Sequence, residues 1–123
     1  MTENEKMFKY KPDAIKGQSG SEARLQISIA KFLDLQRNLW NHSPNGGNRS
    51  AKEGANFKKE GVKAGWPDIM IIDLMLVVEL KVGYNKPSDE QLTYLHKFRE
   101  AGWQAWWVNS LDEFLSLYEN MKA

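Results

Sequence analysis

The chain has 123 residues, a formal net charge of +1 and no cysteine. This length accommodates one domain with a single core, and without cysteine the protein has neither disulfides nor a thiolate zinc site nor a cysteine nucleophile. The N-terminal residues lack the apolar region of a signal peptide, and no apolar run approaches the roughly 18 residues of a membrane span. We therefore expect a protein that does not associate with membranes and that works in the reducing cytoplasm.

The N-terminal part of the chain differs in composition from the rest. Residues 1–18 combine Lys, Glu, Gly, Ser and Pro without apolar periodicity. Such a composition predicts a flexible N-terminal arm, because it cannot bury enough apolar surface to order the segment. One folded domain is expected to follow over residues 19–123.

The pattern of apolar and turn-forming residues predicts alternating helices and strands. In chain order we expect a helix from Ser19 or Ser21 to about Arg37, a short strand at 39–42, a tight turn at 43–47, a short basic helix at 49–60, two paired strands within 69–82, a helix from Ser88 to about Ala101, a strand at 103–108 and a helix from Ser110 to about Met121. The predicted fold class is α/β, a mixed β-sheet flanked by helices. Its order is α-β-β-β-α-β-α, with an extra short helix after the first strand.

Three polar residues stand in or beside the most apolar part of the chain: Asp68, Glu79 and Lys81. Glu79 and Lys81 are two residues apart, so on a strand they point in the same direction. If the hairpin pairs Ile72 with Met75, counting back places Asp68 opposite Glu79. Like charges opposite each other destabilise a sheet unless a cation lies between them, and Mg²⁺ prefers carboxylate and water oxygens.

These three side chains have the chemistry that hydrolysis of a phosphodiester needs. A divalent ion held by Asp68 and Glu79 would polarise a phosphate oxygen and lower the pKa of a bound water. Lys81 could orient that water or stabilise charge on the phosphorus. The alternative is structural: Glu79 and Lys81 form a surface ion pair on an edge strand, and Asp68 is a turn residue.

Two further polar residues allow both a functional and a local explanation. Glu22 shares a helix face with apolar residues and can point at the sheet as a further metal-site carboxylate, but residues 19–22 also have the S-x-x-E form of a capping box. Gln91 lies on the inward face of the helix that begins after Ser88, yet residues 88–91 have the related S-x-x-Q form.

A basic segment lies between Asn48 and Lys63. Its five basic residues, against two acidic ones, are Arg49, Lys52, Lys58, Lys59 and Lys63. Such a segment can bind a polyanion, because each neutralised phosphate releases counterions. It can equally be the solvated face of a helix.

The histidines and tryptophans have simpler explanations. His42 and His96 show neither an H-x-E nor a paired-histidine spacing, which favours structural roles. Trp103, Trp106 and Trp107 could stack on bases, but a strand flanked by two helices favours positions in the core or in a dimer interface.

The order of these motifs resembles the VRR-NUC family of the PD-(D/E)XK nuclease superfamily. The motifs that carry the resemblance are Glu22, Asn45-Gly46-Gly47 with Arg49, Gly61 to Asp68 (GVKAGWPD), Glu79-Leu80-Lys81, Gln91 and Gly102. The match spans residues 21–118, which is nearly the whole chain. A bare P-D…E-x-K is unspecific, whereas the complete series at these intervals is specific.

The resemblance implies a restriction-endonuclease-like core over residues 19–123, with Mg²⁺ or Mn²⁺ as cofactor. The implied site residues are Asp68, Glu79, the carbonyl of Leu80 and Glu22 for the metal, Lys81 for catalysis and Gln91 in support. The residues expected to contact DNA are Asn45, Arg49, Lys52, Lys58, Lys59 and Lys63.

The resemblance also implies a substrate and an assembly. Stand-alone members of this length resemble virus or phage proteins that act as homodimers on branched DNA such as Holliday junctions, and the expected compartment is then the cytoplasm of the host cell. Two alternatives remain open at this stage, a catalytically silent DNA-binding or assembly module and a nuclease acting on linear or flap DNA. Restriction-style cleavage at a defined sequence needs side chains that read base edges, and the sequence has no obvious recognition insertion.

Overall fold

The computed structural model describes residues 1–13, 16–43 and 51–123. Their helices and strands are, in chain order, α1 (Glu3–Phe8), α2 (Glu22–Leu35), β1 (Trp40–His42), α3 (Ala51–Lys59), β2 (Ile69–Ile71), β3 (Leu76–Leu80), α4 (Asp89–Glu100), β4 (Gln104–Val108) and α5 (Leu111–Lys122). A 3₁₀ turn, Ile72–Leu74, joins β2 to β3. The tight turn predicted at 43–47 lies outside the described residues except for Ser43. No helix in the described part of the chain is long and apolar enough to cross a membrane.

The strands form one mixed sheet in the order β1-β2-β3-β4. β1 pairs antiparallel with β2, β2 pairs antiparallel with β3, and β3 pairs parallel with β4. A parallel pair needs a long crossover connection, and α4 provides it between β3 and β4. The predicted α/β class, with a mixed sheet flanked by helices, is confirmed.

The core lies on both faces of the sheet, because all five residues of β3 are buried. Alternate side chains of a strand point to opposite faces, so β3 contributes to two clusters. Leu76, Val78 and Leu80 pack with buried residues of α2 and α5, and Val77 packs with those of α1, α4 and β4. The second cluster includes Trp107, which is buried as predicted.

Serine side chains begin three of the helices, as the sequence predicts. Ser21, Ser88 and Ser110 accept hydrogen bonds from the backbone N–H groups of Arg24, Gln91 and Glu113. Each bond satisfies one of the N–H groups that have no partner inside the helix. These caps explain why the predicted helix starts agree with the observed ones.

The segment before Gln18 differs from the flexible arm expected from its composition. It contains α1, which a capping box between Thr2 and Glu5 begins. Phe8 and Lys9 are both buried, and Lys9 forms an isolated bridge with Trp107 at the free edge of β4. Contacts made far along the chain therefore order a segment that has too few apolar residues to order itself.

An ion pair inside the protein secures this segment. Lys9 Nζ donates to Glu113 Oε1 and Oε2 at 2.7 and 2.6 Å and to the Tyr10 carbonyl at 2.7 Å. The backbone N–H of Asn109 also donates to Glu113 Oε1, at 2.9 Å. The buried carboxylate is thus both paired with a cation and hydrogen-bonded.

We predict that Lys9→Ala lowers the free energy of unfolding by about 3–5 kcal/mol, because it leaves a carboxylate buried without its cation. Urea unfolding of the variant and the wild type measures this loss. Lys6→Ala is the matched control: Lys6 lies 3.9 Å from Glu3, with side-chain exposures of 52% and 93%, and an exposed pair contributes at most about 1 kcal/mol. Equal losses for the two variants would contradict the assigned role of the buried pair.

Candidate active site

The pairing of β2 with β3 brings the two acidic residues of the predicted site together. The paired residues are Ile69 with Val78, Met70 with Val77 and Ile71 with Leu76. One step beyond the pair Ile69 with Val78, Asp68 lies opposite Glu79, so the register predicted from the sequence is confirmed. Oδ2 of Asp68 accepts a hydrogen bond from the backbone N–H of Leu80, 2.8 Å away.

Strand β1 holds the backbone of Asp68 from the other side. The Asp68 carbonyl accepts hydrogen bonds from the N–H of Ser43 at 2.9 Å and from Nδ1 of His42 at 2.8 Å. His42 was expected to have a structural role, and its bond to a backbone carbonyl agrees with that. Its side chain also lines the cleft at Asp68. The antiparallel pairing of His42 with Ile69 brings it there, and a lone histidine in a sequence does not reveal such a contact.

The loop before Asp68 depends on a glycine. Gly65 has a φ of +85°, and a Cβ added there would lie 2.9 Å from the Glu90 carbonyl carbon and 3.1 Å from the Gln91 nitrogen. Only glycine adopts this conformation at low cost and allows such a close approach. Gly65 thereby fixes the loop that carries Asp68 against the first turn of α4.

Glu79 has the most perturbed environment in the site. It is 1% exposed, and neither carboxylate oxygen has a hydrogen-bond partner among the described residues. Burial and, after it, the negative charge of Asp68 raise the pKa of Glu79 from 4.5 to about 10, while the Lys81 ammonium opposes the shift. Without a cation, this carboxyl group is therefore protonated at neutral pH.

Glu22 belongs to the same charged group. Ser21 is the N-cap of α2, so Glu22 is the first helical residue and cannot complete a capping box with Ser19. Burial raises the pKa of the half-buried Glu22, the Lys81 charge lowers it, and the Asp68 charge raises it. The local explanation for Glu22 therefore fails, and the side chain lies in the field of Asp68 and Lys81.

For Gln91, in contrast to Glu22, the local explanation is confirmed. Its Oε1 accepts a hydrogen bond from the N–H of Ser88 at 2.8 Å, and its own N–H donates to Ser88 Oγ at 3.2 Å. This is the capping box that the S-x-x-Q pattern allows. Gln91 is not among the residues lining the cleft at Asp68, and its support of the site stays a prediction.

A cleft of about 370 Å³ opens beside Asp68. Its lining residues are Glu22, Ala23, Gln26, Ile27, His42, Asp68 and Leu80. Both side-chain amide atoms of Gln26 are buried without a hydrogen-bond partner in the described part of the chain. Gln26 was not predicted as a site residue, although its position four residues after Glu22 on the same helix face is a signal for it.

The structure describes only part of the basic segment between Asn48 and Lys63. Lys58 and Lys59 are exposed in the last turn of α3, and Lys63 is exposed in the loop that follows. Asn45, Arg49 and the side chain of Lys52 lie outside the described residues. The proposed contacts with DNA therefore stay predictions.

The remaining aromatic and histidine positions contribute packing. Trp103 and Trp106 are half-buried beside the core. His96 is exposed on α4, with Nε2 2.8 Å from Glu100 Oε1. The positions of the two tryptophans beside the core agree with the structural roles expected for them.

We predict a pH-dependent effect of Glu79→Gln on stability in EDTA. The folded-state pKa of Glu79 is about 10 and its ordinary value is 4.5, so the folded state holds the Glu79 proton more tightly than the unfolded state. The stability linked to this proton is complete below pH 4.5 and is lost as the pH rises towards 10. Glutamine stays neutral throughout. The stability advantage of the variant over the wild type should therefore grow across this range, as urea unfolding at several pH values measures. Glu119→Gln, at an exposed position, serves as control, and a difference that is independent of pH would contradict the prediction.

The comparisons with known proteins concern the fold. No protein-family model and no curated protein matches the sequence. Among solved structures, a VRR_NUC domain protein superposes with a TM-score of 0.70 at 24% sequence identity, over 85% of this chain and 89% of the other. The chain therefore has the fold of this VRR_NUC domain protein.

Proposed function

We propose that this protein is a metal-dependent, structure-selective DNA endonuclease that hydrolyses phosphodiester bonds. The observation that carries the proposal is the buried carboxyl group of Glu79, opposite Asp68 and without a hydrogen-bond partner among the described residues. Burying such a group is costly unless a ligand compensates it. A divalent cation is the ligand whose chemistry fits two adjacent carboxylates. The shared fold and the motif resemblance support the same function.

The donor set fits Mg²⁺ or Mn²⁺. The described residues contain no group of three or more His, Cys, Asp or Glu side chains that could hold a metal. Mg²⁺ does not need such a group, because it keeps several waters and is usually bound through one or two carboxylates. Asp68 and Glu79 would supply these, with the carbonyl of Leu80 as a further oxygen and Glu22 in assistance.

The proposed chemistry divides between the ion and the side chains around it. When bound, the ion would polarise a phosphate oxygen and lower the pKa of a water. Lys81 is half-buried, and its charge acts on Glu22 and Glu79. An ammonium group in this position would stabilise negative charge that develops on a phosphate.

The proposed substrate is branched DNA, such as a four-way junction. Lys58, Lys59 and Lys63 are exposed on the segment that leads to Asp68, where they would bind backbone phosphates. Arg49, Asn45 and Lys52 are proposed to extend this contact. A homodimer would provide two sites for two backbones, because closed two-fold assemblies present the same surface twice.

The nuclease proposal predicts that the wild type cuts labelled four-way junctions in Mg²⁺ and does not cut them in EDTA. Asp68→Asn and Lys81→Met should each reduce the cleavage rate by at least about 100-fold, since each removes a charge that the transition state needs. Gel assays with linear duplex, flap and junction substrates measure both the rate and the preference.

Lys86→Met is the matched control for Lys81→Met, because Lys86 is exposed in the loop that follows β3. It should retain cleavage. Undiminished cleavage by Asp68→Asn would contradict the site assignment. Junction binding without cleavage by the wild type would favour the silent DNA-binding module, and faster cleavage of linear or flap DNA would replace the junction as substrate.

The dimer proposal predicts a molecular mass of two chains at micromolar concentration. Light scattering of the purified protein, alone and with an uncleaved junction in EDTA, measures this mass. A monomer under both conditions would contradict symmetric cleavage of a junction by one assembly.

A further inference from the structure

The amide of Gln26 is the starting point of a further inference. Its nitrogen and oxygen are both buried, and neither has a hydrogen-bond partner among the described residues. Buried side-chain amides are nearly always hydrogen-bonded, since an unsatisfied group loses its interaction with water. Gln26 lines the cleft one helical turn beyond Glu22, and a change of its side-chain rotamer would present its two donors and its acceptor to a ligand there.

An apolar surface lies next to this amide. Ile27 is 54% exposed, and it lines the cleft together with Ala23. Neither a metal ion nor a phosphate gains a favourable interaction from an apolar surface. The cleft of about 370 Å³ also exceeds what a hydrated ion needs, because a water occupies about 30 Å³, and it falls within the range of clefts that hold small organic groups.

His42 reaches the same cleft from β1. Because a carbonyl oxygen only accepts hydrogen bonds, the bond of 2.8 Å to Asp68 requires that Nδ1 carries the hydrogen. That bond fixes the orientation of the ring. Histidine rings are among the side chains on which unstacked bases pack. The cleft therefore combines an apolar side chain, a ring and an amide beside the proposed metal site.

We propose that this cleft binds the nucleoside next to the scissile phosphate, turned out of the base stack, with its sugar and base against Ile27 and His42 and a hydrogen bond to Gln26. The proposal rests on the proposed nuclease function and specifies its substrate class. Turning a nucleotide out costs least where it is already unpaired. The subsite thus selects DNA with an unpaired or poorly stacked nucleotide at the cut, which branch points provide.

Binding in EDTA tests the subsite without cleavage. Two fluorescein-labelled duplexes, identical except for one bulged nucleotide, are titrated with the protein and followed by fluorescence anisotropy. The wild type should prefer the bulged duplex, and Ile27→Ser should reduce this preference about tenfold, a value within the range for loss of one base contact. Leu35→Ser is the matched control, because Leu35 is an apolar residue of α2 that is 80% exposed and does not line the cleft. It should keep the preference.

Gln26→Leu separates a binding role from a structural one. The substitution removes an unsatisfied buried amide, so it should leave the thermal stability unchanged or raise it, while it reduces the preference for the bulged duplex. A structural role for Gln26 predicts the reverse, a lower stability with an unchanged preference. That outcome would overturn its assignment to the subsite.

The outcomes distinguish this proposal from the nuclease function. If Ile27→Ser and Gln26→Leu keep the wild-type preference while the wild type cuts DNA in Mg²⁺, the subsite is overturned and the nuclease stands. If the wild type neither binds nor cuts DNA, both proposals are overturned. Loss of the preference in both variants, with Leu35→Ser unaffected, supports the subsite.

Discussion

The antiparallel register between β2 and β3 determines where every charged group of the site lies. A slip of one residue would send each side chain of the slipped strand to the opposite face of the sheet. β3 cannot slip, because its five residues are buried and its alternate side chains fill two separate core clusters. The apolar packing of Leu76, Val77 and Val78 thus holds Glu79 opposite Asp68, despite the repulsion between two carboxylates. The core enforces an arrangement that the charges alone would oppose.

Two buried glutamates show how an electrostatic cost can mark a functional site. Glu113 is buried, and it is satisfied by Lys9 and by the N–H of Asn109. Glu79 is buried just as deeply, yet neither of its oxygens has a hydrogen-bond partner in the described ranges. Burial alone therefore does not distinguish the two residues. The two residues differ in how the cost of burial is offset. Glu113 is stabilised by its partners within the chain, whereas Glu79 needs a proton or a cation from outside the chain.

The features that the sequence could predict are those with local causes. The serine caps and the hairpin register depend on residues that are close in the chain, so short-range patterns predicted them. The N-terminal helix α1 was missed although its capping box is local, because six residues are too few for apolar periodicity. Its order depends on contacts such as Lys9 with Glu113, which are 104 residues apart. The positions of Gln26 and His42 in the cleft were not predicted for a related reason. The role of a single polar residue depends on its tertiary contacts, which short-range sequence patterns do not contain.

Helix α2 connects the core, the proposed metal site and the proposed nucleoside subsite. Leu25, Ile29 and Leu33 on one side of the helix are fully buried, and this packing fixes its position against the sheet. Glu22 and Gln26 are one turn apart on the side that lines the cleft, so the spacing between them is that of a rigid helix. A nucleoside held at Gln26 would therefore set the position of its phosphate relative to Glu22 and Asp68. Because displacement of a reacting group by about 1 Å can cost 100-fold in rate, an arrangement of this kind would couple recognition of an unstacked nucleotide directly to catalysis.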